Sequence, residues 1–283
     1  MQMFNFWKKN DAVANRSPEG VIYYYANSVM DKNIFLDGEF EISKPMDNND
    51  YSEFNYGINL VAGIFEEVAK DDLHLLKIAK EFFEEEKKRF ADNFILSFST
   101  NKNSRLLWEN LNSNGYNIEF SEDLVADFAN PIISSIRLGN VTLQSIDNIE
   151  FSSFACSYNA VLYELEEQRN LIREVVENIK NSYIANCPDT YYSQFDMLIK
   201  TIPYLKDPSL IDEQEFRLVI KLDENMYCDL DKIILKMNSK KYIKSITLGY
   251  TNSSDLSVQT MEDLISTLPE DIKIEINKTA LRM

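Results

Sequence analysis

The 283-residue chain carries 29 Lys and Arg against 46 Asp and Glu, a formal net charge of -17, and 45% of its residues are hydrophobic. That is enough apolar material for one large core or two modest ones, while so acidic a surface repels a phosphate backbone and speaks against broad nucleic-acid binding. With 7 Gly and 7 Pro beside 15 Tyr and 17 Phe, Gly-rich phosphate loops, collagen-like repeats and disordered chains are poorly supported.

The opening MQMFNFWKKNDAV has no charged start followed by an apolar stretch, so a secretory signal is not expected. No apolar run approaches the length of a membrane span, and the expected setting is the cytoplasm. VIYYYANSVMDKNIFLDGEFEIS reads as short strands and turns, with Asp37-Gly38 as a turn signal, and KPMDNNDYSEF reads as a polar loop. From about Tyr56 to Arg89 the apolar spacing becomes helical: Leu60, Ile64 and Val68 form one stripe, and Leu75, Ala79, Phe82, Phe83 and Phe90 another. Asp71 and Asp72 suit a helix start between them. His74, the single histidine, sits in this helical stretch; any Ser-His-Asp or Cys-His site would need it, and a helical surface imidazole is the plainer reading.

NFILSFST alternates around Phe94, Leu96 and Phe98 and reads as a strand, SRLLWENL as a short helix, Asn114-Gly115 as a turn and YNIEF as another strand. NIEFSSFACSY is a further strand segment. AVLYELEEQRNLIREVVENIKNSYI is the longest helix, and YYSQFDMLIKTI is a second that ends before Pro203. The tail gives EFRLVIKL and IKSITLGY as strands, VQTMEDLISTL as a helix and IKIEINKT as a last strand. Cys156, Cys187 and Cys228 are odd in number, far apart and without a CxxC pair, so neither a disulfide framework nor a zinc ribbon is supported. The order predicts an α+β fold of mixed, mainly antiparallel sheets drawn from both chain ends, one domain over 1–283 with a mostly helical insertion at about 158–205.

Several of these stretches, in this order, resemble a bacterial family catalogued as domain of unknown function 2971. Its motifs are a Tyr-rich opening strand and an Asn-Asp-Pro-x-Glu loop, matched by Asn49-Asp50-Tyr51-Ser52-Glu53 with Tyr51 in the proline's place. A Cys-Phe-Ser strand follows, with Ser97-Phe98-Ser99 here, then a tryptophan (Trp108), a Gly-containing strand from Gly115 to Phe120, and Val161-Leu162-Tyr163. A Lys before Glu-x-Glu-aromatic-Arg closes the pattern, matched by Lys206 and Glu213-Gln214-Glu215-Phe216-Arg217. Ser97 departs from the usual Cys, and Leu111 stands where a Tyr is common.

The family carries no settled activity, but its layout is similar to that of the ADP-ribosyltransferases, which arrange an early His or Arg strand, a middle Ser or Tyr strand and a late Gln/Glu-x-Glu strand around NAD. Tyr24 stands at about the place of the early His. The resemblance implies an ADP-ribosyltransferase-like protein using NAD to modify a macromolecular acceptor, as an intracellular toxin or a phage-defence effector would. The alternative is a non-catalytic module of a bacterial defence or stress system that senses a nucleotide or binds a protein partner.

On a strand, residues two apart face the same way, about 6.5–7 Å from each other. Glu213, Glu215 and Arg217 are therefore expected on one face, with Phe216, Leu218 and Ile220 on the apolar other. In the transferase reading Glu215 stabilises the oxocarbenium-like ribose and Glu213 orients or deprotonates the acceptor. Ser99, beside Ser97, braces Glu215 or the ribose, Tyr24 or Trp108 stacks on a flat ring, and Lys206 or Arg217 meets the pyrophosphate. Asn49, Asp50 and Glu53 would complete the ligand site. The plain readings stand beside these. Glu215 and Arg217 form an ordinary exposed pair worth about 0–1 kcal/mol, Trp108 is a core residue with its N–H satisfied, and the Asn49 loop is a capping network. A third class, a hydrolase holding a metal on Asp50, Glu53, Glu213 and Glu215, ranks last, because scattered carboxylates in an acidic chain are easily grouped.

Overall fold

The computed structural model describes residues 20–26, 34, 38–44, 51–90, 93–111, 115–129, 135–138, 141–143, 154–222, 232–237, 239–249 and 272–276. The architecture is α+β, with mainly antiparallel sheets and several helices. The chain divides into two compact units, one from Met1–Ser43, Phe94–Asn159 and Asp212–Met283 and the other from Lys44–Asn93 and Ala160–Ile211.

The first unit holds both sheets. A seven-stranded sheet runs in the order β11 (Lys273–Ile276), β10 (Ile243–Leu248), β4 (Tyr116–Ser121), β1 (Val21–Ala26), β3 (Phe94–Ser99), β8 (Glu215–Leu222) and β7 (Phe154–Ala160). A four-stranded sheet runs β2 (Glu39–Ser43), β9 (Lys232–Lys236), β5 (Ser135–Leu138) and β6 (Val141–Leu143). Strict alternation builds the core. Phe94, Leu96 and Phe98 of β3 lie opposite Ile220, Leu218 and Phe216 of β8, and all six are buried. Phe40 and Ile42 of β2 with Ile233 and Leu235 of β9 join the same apolar cluster, so each sheet covers one face of the other, as an amphipathic sheet requires. Gly38, at φ +67°, leads into β2 where a Cβ would fall 2.1 Å from the Met237 carbonyl oxygen. Only glycine fits that approach.

The second unit is helical: α1 (Tyr51–Ala69), α2 (Leu73–Phe90), α5 (Leu165–Ile184) and α6 (Pro188–Thr201). Its core includes Ile64, Phe65, Val176, Ile179, Phe195 and Leu198. Two short helices, α3 (Arg105–Asn110) and α4 (Asp123–Ala129), and one turn of helix, α7 (Ser239–Tyr242), belong to the first unit. Gln168 of α5 fastens the second unit internally. Its Nε2 donates to the Leu162 and Lys206 carbonyls, and its Oε1 accepts from the Tyr56 hydroxyl.

The two helical stripes expected between Tyr56 and Arg89 are two helices separated at Lys70–Asp72, where, as the sequence suggests, the Asp72 carboxylate accepts from the Leu75 N–H and caps α2. Other expectations need correction. The polar loop gives way to helix at Tyr51. The long helix starts at Leu165, because Leu162 is bridged in extended form to Leu205. The helical segment expected at about 158–205 packs with α1 and α2 in one unit. The helix read in VQTMEDLISTL lies outside the described residues. Among the described residues no helix is long and apolar enough to cross a membrane.

Candidate functional site

The face of the seven-stranded sheet turned away from its core is polar, and backbone pairing sets its rows. Glu215 lies opposite Ser99, Ser99 opposite Tyr23, Tyr23 opposite Glu119, Glu119 opposite Ser245 and Ser245 opposite Lys273. Directly paired residues share a face, so six neighbouring strands display Glu215, Ser99, Tyr23, Glu119, Ser245 and Lys273 in one line. A second line, one pair along, holds Tyr25, Asn117, Thr247 and Glu275. Ser97 lies opposite Arg217 at the β3–β8 end of the same face.

The segment entering β8 is shaped by its backbone. Pro208–Glu213 forms a 3-10 helix, and Gln214 takes a left-handed conformation at φ 42° before the strand begins at Glu215. Glu213 and Glu215 are therefore not on one continuous strand face, which corrects the spacing argument; only Glu215 and Arg217 keep the period of two. The turn is pinned from β3 and its following loop. The Ser99 hydroxyl donates to the Glu213 carbonyl at 2.6 Å, so it braces the main chain ahead of Glu215. The Thr100 N–H donates to the Gln214 carbonyl at 2.9 Å. Asp212 accepts from the Ser104 hydroxyl and the Leu106 N–H, and Asn101 donates to its carbonyl.

Glu215 and Arg217 are ion-paired. The Arg217 Nη2 and Nε lie 2.6 and 2.7 Å from the Glu215 Oε2, and the Arg217 and Glu215 side chains are 8% and 10% exposed. This overturns the exposed surface pair: the charges are enclosed and charge-assisted. Glu213 is also buried.

Further along the same face, Lys102 bridges β4 and β11. Its Nζ is 2.7 Å from Glu275 and 3.7 Å from Glu119. Burial works against the Lys102 charge, but the hydrogen bond and charge of Glu275, with Glu119, raise its pKa. Hydrogen bonds from Lys102 and Lys273 hold the Glu275 carboxyl down at about 2. The Tyr23 phenol is pushed up by burial and by Glu119. Burial also raises Tyr25, against the Ser104 N–H and the Asn117 amide, and its hydroxyl donates to the Asn101 carbonyl.

The other expected ligand residues are dispersed. Tyr24 lies on the opposite face from Glu215, half-buried and packed against the core, edge-on to Phe40 at 5.3 Å and to Phe98 at 6.1 Å. The residue of that strand in line with Ser99 and Glu215 is Tyr23. Trp108 is buried, packs edge-on to Tyr25 at 5.3 Å and donates its Nε1–H to the Lys102 carbonyl, which is the core role. Lys206 is buried in the helical unit, its carbonyl held by Gln168. Glu53 falls within α1, and Asn49 and Asp50 lie outside the described residues. His74 bonds the Tyr183 hydroxyl at an exposed position of the helical unit. Burial raises the Cys156 thiol to about 12, Cys187 is exposed, and Cys228 lies outside the described residues. Among the described residues no group of three or more His, Cys, Asp or Glu is placed to hold a metal ion.

Sequence reading missed Tyr23, Glu119, Asn117, Thr247 and Lys102. The parity of β3 was the available signal: Phe98 inward puts Ser99 outward, and pairing then selects Tyr23. No protein-family model matches the sequence, and no curated protein and no solved structure matches it.

Proposed function

We propose that this chain is an ADP-ribosyltransferase-like protein that holds NAD against the polar face of its seven-stranded sheet and transfers ADP-ribose to a macromolecular acceptor. The observation that carries the reading is the row Tyr23–Ser99–Glu215 on three hydrogen-bonded neighbours, β1, β3 and β8. The three motif strands come from sequence positions nearly two hundred residues apart, and pairing sets one polar residue from each in line. The family resemblance, with its early, middle and late motif strands, supports the same reading.

In the transfer, the C1′–N bond of the nicotinamide ribose breaks and its electron pair leaves with nicotinamide. An acceptor nucleophile bonds to C1′ and gives up its proton. Positive charge builds on the ribose between these events, and a fixed carboxylate stabilises it. Glu215 takes that role. Arg217 holds the carboxylate in one position, while Ser99 fixes the backbone ahead of it. Tyr23, in place of the Tyr24 first considered, lies beside the reacting ribose. Glu213 remains the candidate for accepting the proton.

A second reading is favoured by the Glu215–Arg217 pair, since a carboxylate already engaged suits ligand sensing without turnover. Incubation with NAD labelled in the adenosine half, following nicotinamide release and label transfer, separates the two. Transfer predicts release by the wild type and a loss of about a hundredfold or more in Glu215→Gln. Sensing predicts saturable NAD binding without release. If the wild type neither binds NAD nor releases nicotinamide, both readings are refuted.

A further inference from the structure

We propose that Asn101 is a positioning residue for Glu215, acting through the turn ahead of β8. Gln214 is held at φ 42°, a left-handed conformation that a residue with a Cβ keeps only where its surroundings impose it. The contacts that impose it come from three consecutive residues at the end of β3 and just beyond. Ser99 donates its hydroxyl to the Glu213 carbonyl at 2.6 Å, Thr100 its N–H to the Gln214 carbonyl at 2.9 Å, and Asn101 its side-chain amide to the Asp212 carbonyl at 2.8 Å. Three successive carbonyls are fixed in this way, and the last of them leads directly into Glu215.

Asn101 is also tied to the strands that carry the rest of the row. Its N–H donates to the Ser99 hydroxyl oxygen at 2.9 Å, its carbonyl accepts from the Tyr25 hydroxyl at 2.7 Å, and its Oδ1 accepts from the Asn103 N–H at 3.0 Å. These bonds fix the orientation of the residue and direct its amide nitrogen at Asp212. The Asp212 carboxylate is held in turn by the Ser104 hydroxyl at 2.9 Å and the Leu106 N–H at 3.2 Å, and the Ser104 N–H donates to the Tyr25 hydroxyl. The turn before β8 is thereby joined to β1 through Tyr25 and to β3 through Ser99, the strands that supply Tyr23 and Ser99 to the row. The effect of Asn101 on Glu215 passes through the main chain of Gln214. Moving a reacting group by about 1 Å can cost on the order of a hundredfold in rate, so a residue that sets this turn sets the use of the carboxylate. That use rests on the function proposed above, whereas the hold of Asn101 on the turn stands without it.

The test pairs crystal structures of full-chain variants with the kinetics of nicotinamide release from NAD. In Asn101→Ala, Gln214 should return to negative φ and the Glu215 carboxylate should shift. The kcat for release should fall by roughly ten- to a hundredfold, with KM for NAD little changed, the pattern of a group that acts in the transition state. Adding Gln214→Gly, which takes a left-handed φ freely, should return most of the lost rate, a rescue that a residue serving stability alone would not give. Should Asn101→Ala fail to fold, Asn101→Asp, which keeps the acceptor for the Asn103 N–H and removes the donor alone, gives the same readouts. A variant in which Gln214 keeps its φ of 42° and Glu215 is unmoved overturns the proposal, and so does a rate loss that Gln214→Gly leaves untouched. A wild type that releases no nicotinamide fails the transfer reading alone, and the Gln214 turn in the variant structure then decides the proposal by itself.

Discussion

Arg217→Met tests whether the charge pair at the head of β8 is enclosed. Both Arg217 nitrogens that reach Glu215 converge on one carboxylate oxygen, at 2.6 and 2.7 Å, and the two side chains are 8% and 10% exposed. Methionine keeps most of the aliphatic stem and removes the cation, leaving the Glu215 carboxylate without the Arg217 charge. For a buried pair that costs about 3–5 kcal/mol, whereas an exposed pair loses about 0–1 kcal/mol. A unit of this size shifts by about 2–4 °C per kcal/mol, so the thermal midpoint should fall by roughly 6–20 °C. Urea unfolding followed by circular dichroism gives the free energy directly. The double variant Glu215→Leu with Arg217→Met removes both charges and should recover most of the loss, because a buried pair replaced as a whole is often neutral. A cost under about 1 kcal/mol for Arg217→Met, or a double variant no more stable than the single one, refutes the reasoning.

The pH dependence of stability should carry a signature of Glu275. Lys102 and Lys273 hold its folded carboxyl at about 2, below the ordinary 4.5. A depressed carboxyl stabilises the fold above its unfolded value and loses that contribution as pH falls through the folded one. The stability gap between wild type and Glu275→Gln should therefore be constant above 4.5 and close as pH falls toward 2; a gap that persists at the acid end contradicts the assignment. Gly38→Ala should destabilise by roughly 2–5 kcal/mol, from a left-handed φ and a Cβ driven into the Met237 carbonyl. A urea midpoint within error of wild type would show that β2 and β9 pair without that close approach.

The strands that carry the site were legible where alternation is long and strict. FILSFS and EFRLVIKL place every second residue in the core, and Phe98 with Phe216 fixes which neighbours face the other way. The four-stranded sheet was only partly legible: SIRL, VTL and KIILK have three to five residues each, too few to establish a period against background. YYY in β1 is a different failure. Alternation sets Tyr24 with Ile22 and Tyr23 with Tyr25, but the likeness to the early His strand points to Tyr24, whereas pairing sets Ser99 opposite Tyr23. One residue of phase decides whether a tyrosine faces a ligand or Phe40.

Glu213-Gln214-Glu215 shows why a motif at a strand entrance misleads. Spacing arguments assume extended backbone, and the left-handed Gln214 breaks that assumption with nothing in its composition to announce it, since glycine or asparagine is the usual occupant of such a position. What fixes the turn is long-range: Ser99 and Thr100 bind the Glu213 and Gln214 carbonyls across more than a hundred residues of chain. Asn117 was hidden for the same reason. Between Tyr116 and Ile118 it reads as the solvent-facing member of an alternating strand, and only tertiary cover turns it into a buried amide. The polar groups that matter on this sheet are therefore those whose surroundings contradict their local pattern, and the row from Glu215 to Glu119 meets that criterion on a single face.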